Sequence, residues 1–259
     1  MFIIKFGGSV ITDKRRKNTF DAARTGRLVS EINLAHKKTI VVHGAGSFGH
    51  ILAKKFELHM GFKKQEQIRA LAEVQRDVKE LNLMVLNAFL ENEISAVSLA
   101  PSAFLLNENG LVKSMEPSLM KGYFDMGITP ISFGDVVLDE ALKFSICSGD
   151  QLMLEFARAF HPEKAIFVAD IDGIFTSDPA ADPNAELIPV INGDSFPAVK
   201  KTESTVDDVT GGIFGKLDIM FKIAALGVET LIVNGTVENR LKDALSDKEV
   251  ISTRIESKN

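Results

Sequence analysis

The sequence predicts an α/β protein, an open three-layer αβα sandwich around a largely parallel sheet. Three observations carry this reading. Short β-branched or aromatic runs alternate with longer amphipathic stretches through most of the 259 residues. The runs Phe2–Phe6, Thr39–Val42 and Lys164–Ala169 hold at most one charge each, as strands covered on both faces do. Several strands also break directly into glycine, as at Gly7-Gly8-Ser9, at Gly44-Ala45-Gly46-Ser47-Phe48-Gly49-His50 and at Gly134-Asp135. Functional loops are then expected at the carboxyl ends of the strands.

Phe2–Phe6 is the first expected strand, and Gly7-Gly8-Ser9 turns the chain toward a basic cluster, Lys14-Arg15-Arg16-Lys17. Ala22, Ala23, Leu28, Ile32 and Ala35, set among charges, make residues 20–36 a helix that returns the chain to Thr39–Val42. The glycine stretch from 44 to 50 opens onto a helix over Ile51–Phe56. Residues 65–92 form a long helix, with Ile68, Leu71, Val74, Val78, Leu81, Val85 and Leu86 in one stripe that suits either core or a pocket wall. Ser95–Leu99 is a short strand, and Phe104–Val112 a hairpin with Asn109-Gly110 at its tip. A helix over Glu116–Met126 ends at Gly127, and the strand Thr129–Phe133 delivers Gly134-Asp135. Leu138–Leu142 joins two further strands, the second ending at Ser145–Cys147 before Ser148-Gly149-Asp150. Gln151–Phe160 is helical, and Lys164–Ala169 runs into Asp170-Ile171-Asp172-Gly173-Ile174-Phe175. Prolines mark an irregular segment from Asp178 to Pro189; a third glycine-rich loop, Asp207–Lys216, precedes a helix with Met220, Ile223, Ala224 and Leu226 and a strand, Thr230–Val233.

Composition narrows the function. A net charge of −5 and a pI of about 5.6 argue against nucleic acid or an anionic membrane as partner. No run approaches the roughly 20 apolar residues of a spanning helix, and no leader pattern is visible, so a cytoplasmic protein is expected. The single Cys147 excludes an internal disulfide and fits a reducing compartment.

A strand that breaks into glycines and restarts as a helix presents backbone N–H groups and the positive end of a helix dipole, which suits a phosphate. Gly44-x-Gly46-x-x-Gly49 also satisfies the dinucleotide fingerprint, but that motif expects a strand ending in Asp or Glu about 20 residues on. Lys63-Lys64-Gln65-Glu66-Gln67 stands there instead, at the head of the long helix. No Gly-x-x-x-x-Gly-Lys-Ser/Thr occurs either. What remains is a constellation: Lys5, the first two glycine loops, His50, Gly134-Asp135, Gly149-Asp150, Asp170–Phe175, and Gly211-Gly212 with Lys216. Each alone also reads as a solvated lysine, an ordinary turn or a capping histidine. Together they suit phosphoryl transfer with donor and acceptor held in line.

These residues resemble the amino acid kinase family along nearly the whole chain, through Lys5-Phe6-Gly7-Gly8-Ser9, the second glycine loop, Asp170–Phe175 and Thr210-Gly211-Gly212 with Lys216. The loop Gly44–His50, with Lys14 upstream and Val209–Gly212 and Lys216 downstream, is similar to members that act on isopentenyl phosphate. The resemblance implies the amino acid kinase fold, a homodimer, and phosphorylation of isopentenyl phosphate by ATP with Mg²⁺ in a mevalonate-type route to isoprenoids. By the same resemblance Lys5, Lys14, His50 and Lys216 are catalytic, with His50 donating a hydrogen bond to the acceptor phosphate. ATP would meet Lys5, Gly7, Gly8, Ser9, Ala45, Asp170, Phe175, Gly212 and Lys216; the acceptor would meet Gly44, Gly49, His50 and Gly149. Phe175 stands where relatives often have tyrosine. Asp135 and Asp150 are expected to orient lysines or accept backbone bonds, and Mg²⁺ to arrive on the ATP phosphates without a dedicated protein site. Val74 to Phe89, with Ile146, would wall the isoprenoid tail. One domain is expected, with residues 1–175 as acceptor lobe and main sheet and 176–259 as a nucleotide lobe continuous with that sheet. The alternatives are a kinase of the same fold acting on a nucleoside monophosphate, an amino-acid carboxylate or a phosphonate, and a non-catalytic nucleotide-binding regulator.

Overall fold

The computed structural model describes residues 1–13, 16–177, 179, 181–193 and 212–257. In chain order the elements begin β1 (Phe2–Phe6), α1 (Gly8–Ile11), α2 (Ala22–Ala35), β2 (Thr39–His43), α3 (Gly46–Lys55) and α4 (Glu66–Glu91). There follow β3 (Ala96–Ser98), β4 (Leu105–Glu108), β5 (Leu111–Met115), α5 (Ser118–Asp125), β6 (Thr129–Phe133), β7 (Asp135–Asp139), β8 (Lys143–Cys147), α6 (Gly149–Phe160) and β9 (Lys164–Ala169). The described chain closes with β10 (Ile174–Phe175), β11 (Leu187–Ile188), β12 (Val190–Ile191), α7 (Gly212–Ala224), β13 (Glu229–Asn234), α8 (Arg240–Leu245) and β14 (Ser252–Ile255).

Eight strands form the main sheet in the order β12-β14-β13-β9-β1-β2-β6-β3. All neighbours pair in parallel except β13 and β14. Both faces are covered, which is why β1, β2 and β6 are buried at every residue. Phe2, Ile4 and Phe6 point to one side, where α2, α4 and α8 supply Leu28, Leu81, Val85 and Leu241. Ile3, Ile40 and Val42 point to the other, against Leu152 and Phe156 of α6 and Leu217 and Met220 of α7. Lys5 lies on this second side of β1, between the registers Lys5↔Val42 and Lys5↔Phe167. A four-stranded sheet, β5-β4-β7-β8, stands apart from the main one. Between it and α3 and α4 a third apolar cluster gathers Leu52, Val74, Val78, Phe133, Val136 and Phe144.

The main sheet switches direction of travel at β1: the chain next adds β2 on one side, and β9 later fills the other. In a doubly wound sheet a crevice opens at such a point, outside the carboxyl ends of the strands. Local signals behave as read: Asn109 and Gly110 take φ of +52° and +78° at the β4–β5 turn, and Gly127 takes +80° after α5. Two glycine stretches are shorter as loops than the sequence suggests. Helix α3 begins at Gly46, leaving Gly44 and Ala45 as the link from β2, so His50 sits inside the helix. Gly8 likewise opens the one-turn α1. Beyond Asn234-Gly235 the sequence pattern specifies no element, yet the chain adds α8 and β14. Lys14 and the Asp207–Gly211 part of the third glycine-rich loop lie outside the described residues.

Candidate active site

At the carboxyl ends of β1, β2, β6 and β9 a cavity of about 480 Å³ is lined by the segments that follow those strands: Gly7-Gly8-Ser9, Gly44 to Ser47, Gly134-Asp135 and Asp170-Ile171. Ser148-Gly149-Asp150 enters from β8 and the start of α6, and Lys216 from α7. Segments as far apart in sequence as Lys5 and Lys216 meet here because parallel strands all end at the same edge.

The glycines are spent largely on one another. A Cβ on Gly8 would lie 2.6 Å from the Gly46 nitrogen, so the first two glycine loops touch backbone to backbone. Thr12 fastens this contact: its hydroxyl donates to the Gly8 carbonyl at 2.7 Å and accepts from the Ser47 N–H at 3.0 Å. Ser9 donates to Asp170 at 2.8 Å, tying the same loop to the end of β9. Lys5 pairs with Asp150 at 2.8 Å, with both side chains largely buried. Gly149 makes room for that lysine, since a Cβ there would come to 3.0 Å from its Cε. Ser148 caps α6 in a reciprocal pair with Gln151, which fixes the start of the helix that carries Asp150.

Beneath Gly44 lies His43, fully buried and stacked on Phe133 with ring centroids 5.4 Å apart. Burial, only partly opposed by a bond to the Gly44 carbonyl, lowers its pKa to about 4, so the ring is neutral at physiological pH. Burial raises the pKa of Asp135, against the lowering effect of Ser102 and the Val136 N–H. The thiol of Cys147 is also pushed up by burial and by Asp135, and is inert. The cavity is polar where the glycine loops meet and apolar where Val74 and Val78 of α4, Val136 and Ile146 line it.

Of the residues singled out in sequence, Lys5, Gly7, Gly8, Ser9, Gly44, Ala45, Gly49, His50, Gly149, Asp170 and Lys216 line this one cavity. Gly212 opens α7 four residues ahead of Lys216. Phe175 lies in β10, paired with Leu187, and does not line the cavity. The proposed tail wall divides. Val74 and Val78 line the cavity, whereas Leu81, Val85 and Phe89 of the same helix pack into the core. Sequence reasoning overlooked Thr12, His43 and Lys54. Lys54 was within reach, because it follows His50 by four residues and shares its helix face; both line the cavity. No spacing rule points to Thr12, whose partner Ser47 is 35 residues away.

The sequence profile of the amino acid kinase family matches residues 1–234. An isopentenyl phosphate kinase of Methanothermobacter thermautotrophicus is 39% identical over 267 aligned positions, covering 100% of both chains. One from Thermoplasma acidophilum is 34% identical, over 94% of this chain and 95% of its own. An X-ray structure of isopentenyl phosphate kinase, 37% identical, superposes with a TM-score of 0.85 over 98% of this chain and 99% of that one.

Proposed function

Because the chain belongs to the amino acid kinase family, we propose that it transfers the terminal phosphoryl group of ATP to isopentenyl phosphate, giving isopentenyl diphosphate for isoprenoid synthesis. One observation carries the choice of acceptor: a single cavity joins a glycine-and-lysine end suited to phosphates to an apolar end lined by Val74, Val78, Val136 and Ile146. A carboxylate or nucleoside acceptor would leave that apolar end without a partner. The relatives named isopentenyl phosphate kinase, similar over nearly their whole length, support the same reading.

A phosphomonoester has a second pKa near 6, so at neutral pH the acceptor is mostly a dianion and needs no general base. One of its oxygens attacks the γ-phosphorus of ATP, the bond to the bridging oxygen breaks, and ADP leaves with that electron pair. The obstacle is repulsion between two anions, which calls for cations and N–H donors aimed at the transferred group. Lys5, steadied by Asp150, and Lys216 take this role, and Lys14 completes it. Gly7, Gly8, Ser9, Ala45, Asp170, Phe175 and Gly212 serve the nucleotide. Gly44, Gly49, His50 and Gly149 serve the acceptor, with His50 orienting its phosphate. Among the described residues no three His, Cys, Asp or Glu side chains converge as a metal cage. Mg²⁺ would be carried on the ATP phosphates, where it would supply positive charge beside Lys5 and Lys216. Residues 1–175 then form the acceptor side and 176–259 the nucleotide side of one domain. Cys147 is buried and free, and none of the described helices is long and apolar enough to cross a membrane; a cytoplasmic setting fits both.

The active unit is a homodimer. Leu83 and Leu90, seven residues apart on α4, are 56% and 54% exposed and would be covered by a second copy. A single-chain mass by light scattering at micromolar concentration would refute this. The reaction itself is tested by coupled ATP consumption with isopentenyl phosphate, uridine monophosphate, glutamate and aspartate in parallel. Turnover confined to isopentenyl phosphate is expected, and turnover confined to one of the others overturns the assignment. Replacing His50 by Ala should lower kcat/KM for isopentenyl phosphate by roughly 10²-fold, as loss of one positioned donor does. Wild-type kinetics in the folded variant would remove His50 from the acceptor site.

A further inference from the structure

The acceptor loop rests on a chain of polar side chains, buried at His43 and Asn82 and reaching the surface at Ser98, that the reaction as described leaves without a task. His43 closes β2, and its backbone carbonyl accepts from the Gly134 N–H at 3.0 Å. Its ring nitrogen Nδ1 lies 3.0 Å from the Gly44 carbonyl, an acceptor only, so Nδ1 carries the proton. The ring is neutral, so Nε2 is an acceptor, and it receives the side-chain N–H of Asn82 at 3.1 Å. The Asn82 carbonyl in turn accepts from the Ser98 hydroxyl. These partners come from β2, α4 and β3, and each link permits only one tautomer and one amide orientation.

The consequence falls on the next peptide. In a trans peptide the C=O and N–H point in opposite directions. With the Gly44 carbonyl held by His43, the Ala45 N–H is turned away from the ring. Ala45 itself lines the cavity, its nitrogen lies 3.8 Å from where a Cβ of Gly134 would stand, and its N–H donates to no backbone carbonyl among the described residues.

We propose that His43 is a positioning residue, whose relay through Asn82 to Ser98 locks the Gly44–Ala45 peptide so that the Ala45 N–H faces the phosphates in the cavity. The relay gives a reason for a buried imidazole at a place where any apolar side chain would pack. Because α4 carries both Asn82 and the cavity residues Val74 and Val78, it also couples the seating of the apolar tail to the aim of this donor. The proposal rests on the phosphate reading of this cavity, and it is tested partly without activity.

Nitrogen-15 NMR of the histidine-labelled protein should find one imidazole in the Nδ1–H tautomer that does not titrate between pH 5 and 8, and that signal should vanish in His43→Phe. An Nε2–H tautomer, or titration within that range, overturns the relay whatever the protein's substrate. In the kinetic arm, His43→Phe keeps the ring stack but neither hydrogen bond, and Asn82→Leu keeps the imidazole but removes its donor. Both should lower kcat by roughly tenfold to a hundredfold, the usual cost of a misdirected donor, with KM for isopentenyl phosphate within about threefold of wild type. If His43→Phe does not fold, Asn82→Leu carries this arm. Wild-type kcat in a folded variant overturns the positioning role. Failure of the wild-type protein to use isopentenyl phosphate, with the NMR result intact, counts against the function and not the relay.

Discussion

The Thr12 hydroxyl donates to Gly8 and accepts from Ser47, so one buried side chain joins the loop after β1 to the first turn of α3. In the proposed reaction those segments hold donor and acceptor, and their spacing sets the in-line distance. Substituting Val for Thr12 preserves shape but removes both bonds and leaves a buried N–H unpaired, at a cost of about 1–3 kcal/mol. The expected outcome is a kcat lowered by roughly tenfold or more, since a small misplacement of reacting groups is costly. Thr12→Ser keeps the hydroxyl and should stay within about threefold of wild type on the same ground. Steady-state kinetics beside thermal melts of both variants check this, and equal kcat in the two would rule out a spacing role. Lys5 and Gly149 form a comparable unit: the glycine admits the lysine, and Asp150 fixes it.

Helix α4 shows how one apolar stripe divides between two tasks. Over 26 residues it buries Val74 and Val78 against the cavity, then Leu81, Val85 and Phe89 against the main sheet. The change occurs because α3 and the β7–β8 pair cover the first half of the helix, whereas the main sheet and α2 meet the second. Tail length should therefore be limited by Val78 and by Ile146 opposite, not by the whole stripe. Each methylene is worth about 0.8 kcal/mol, roughly a fourfold change in affinity, so exclusion of longer tails has to be steric. The double variant Val78→Ala, Ile146→Ala should raise kcat/KM for a ten-carbon isoprenyl phosphate by about tenfold or more, while costing isopentenyl phosphate a few-fold in binding. An unchanged chain-length profile would move the limit elsewhere.

At the scale of the whole molecule, stability is linked to pH through the same buried histidine. The pKa of His43 is 6.5 unfolded and is lowered to about 4 in the fold, chiefly by burial. Between these values the unfolded chain binds more protons than the folded one, so this contribution is complete above pH 6.5 and is lost as the pH falls toward 4. Its size is on the order of 3 kcal/mol. Asp135, raised by burial, acts with the opposite sign, because the folded state keeps its proton longer as the pH rises. Urea unfolding from pH 4 to 7 should show a steeper loss on the acid side for wild type than for His43→Phe, and parallel curves would refute the linkage. The alternation of strands and helices, the Asn109-Gly110 turn, the Gly127 stop and most of the phosphate-facing residues were legible, because they depend on local periodicity and on a few residue types with narrow uses. The same patterning left β14 unread, since a four-residue edge strand such as Ser252–Ile255 is specified by its neighbour β13 and not by its own alternation. The start of α3 was misplaced at Ile51 because glycines weaken helix signals, while packing against α1 and α4 makes a helix of Gly46–His50 all the same. By itself, then, the sequence determined the layers, the sheet's two covered faces and the chemistry of the lysines and glycines. Only the tertiary structure decided which backbones touch, that Asp150 belongs to Lys5, and that Thr12 and His43 brace the loops. The physical reason is that these are contacts across tens of residues, created where parallel strands end side by side, and no local period encodes them.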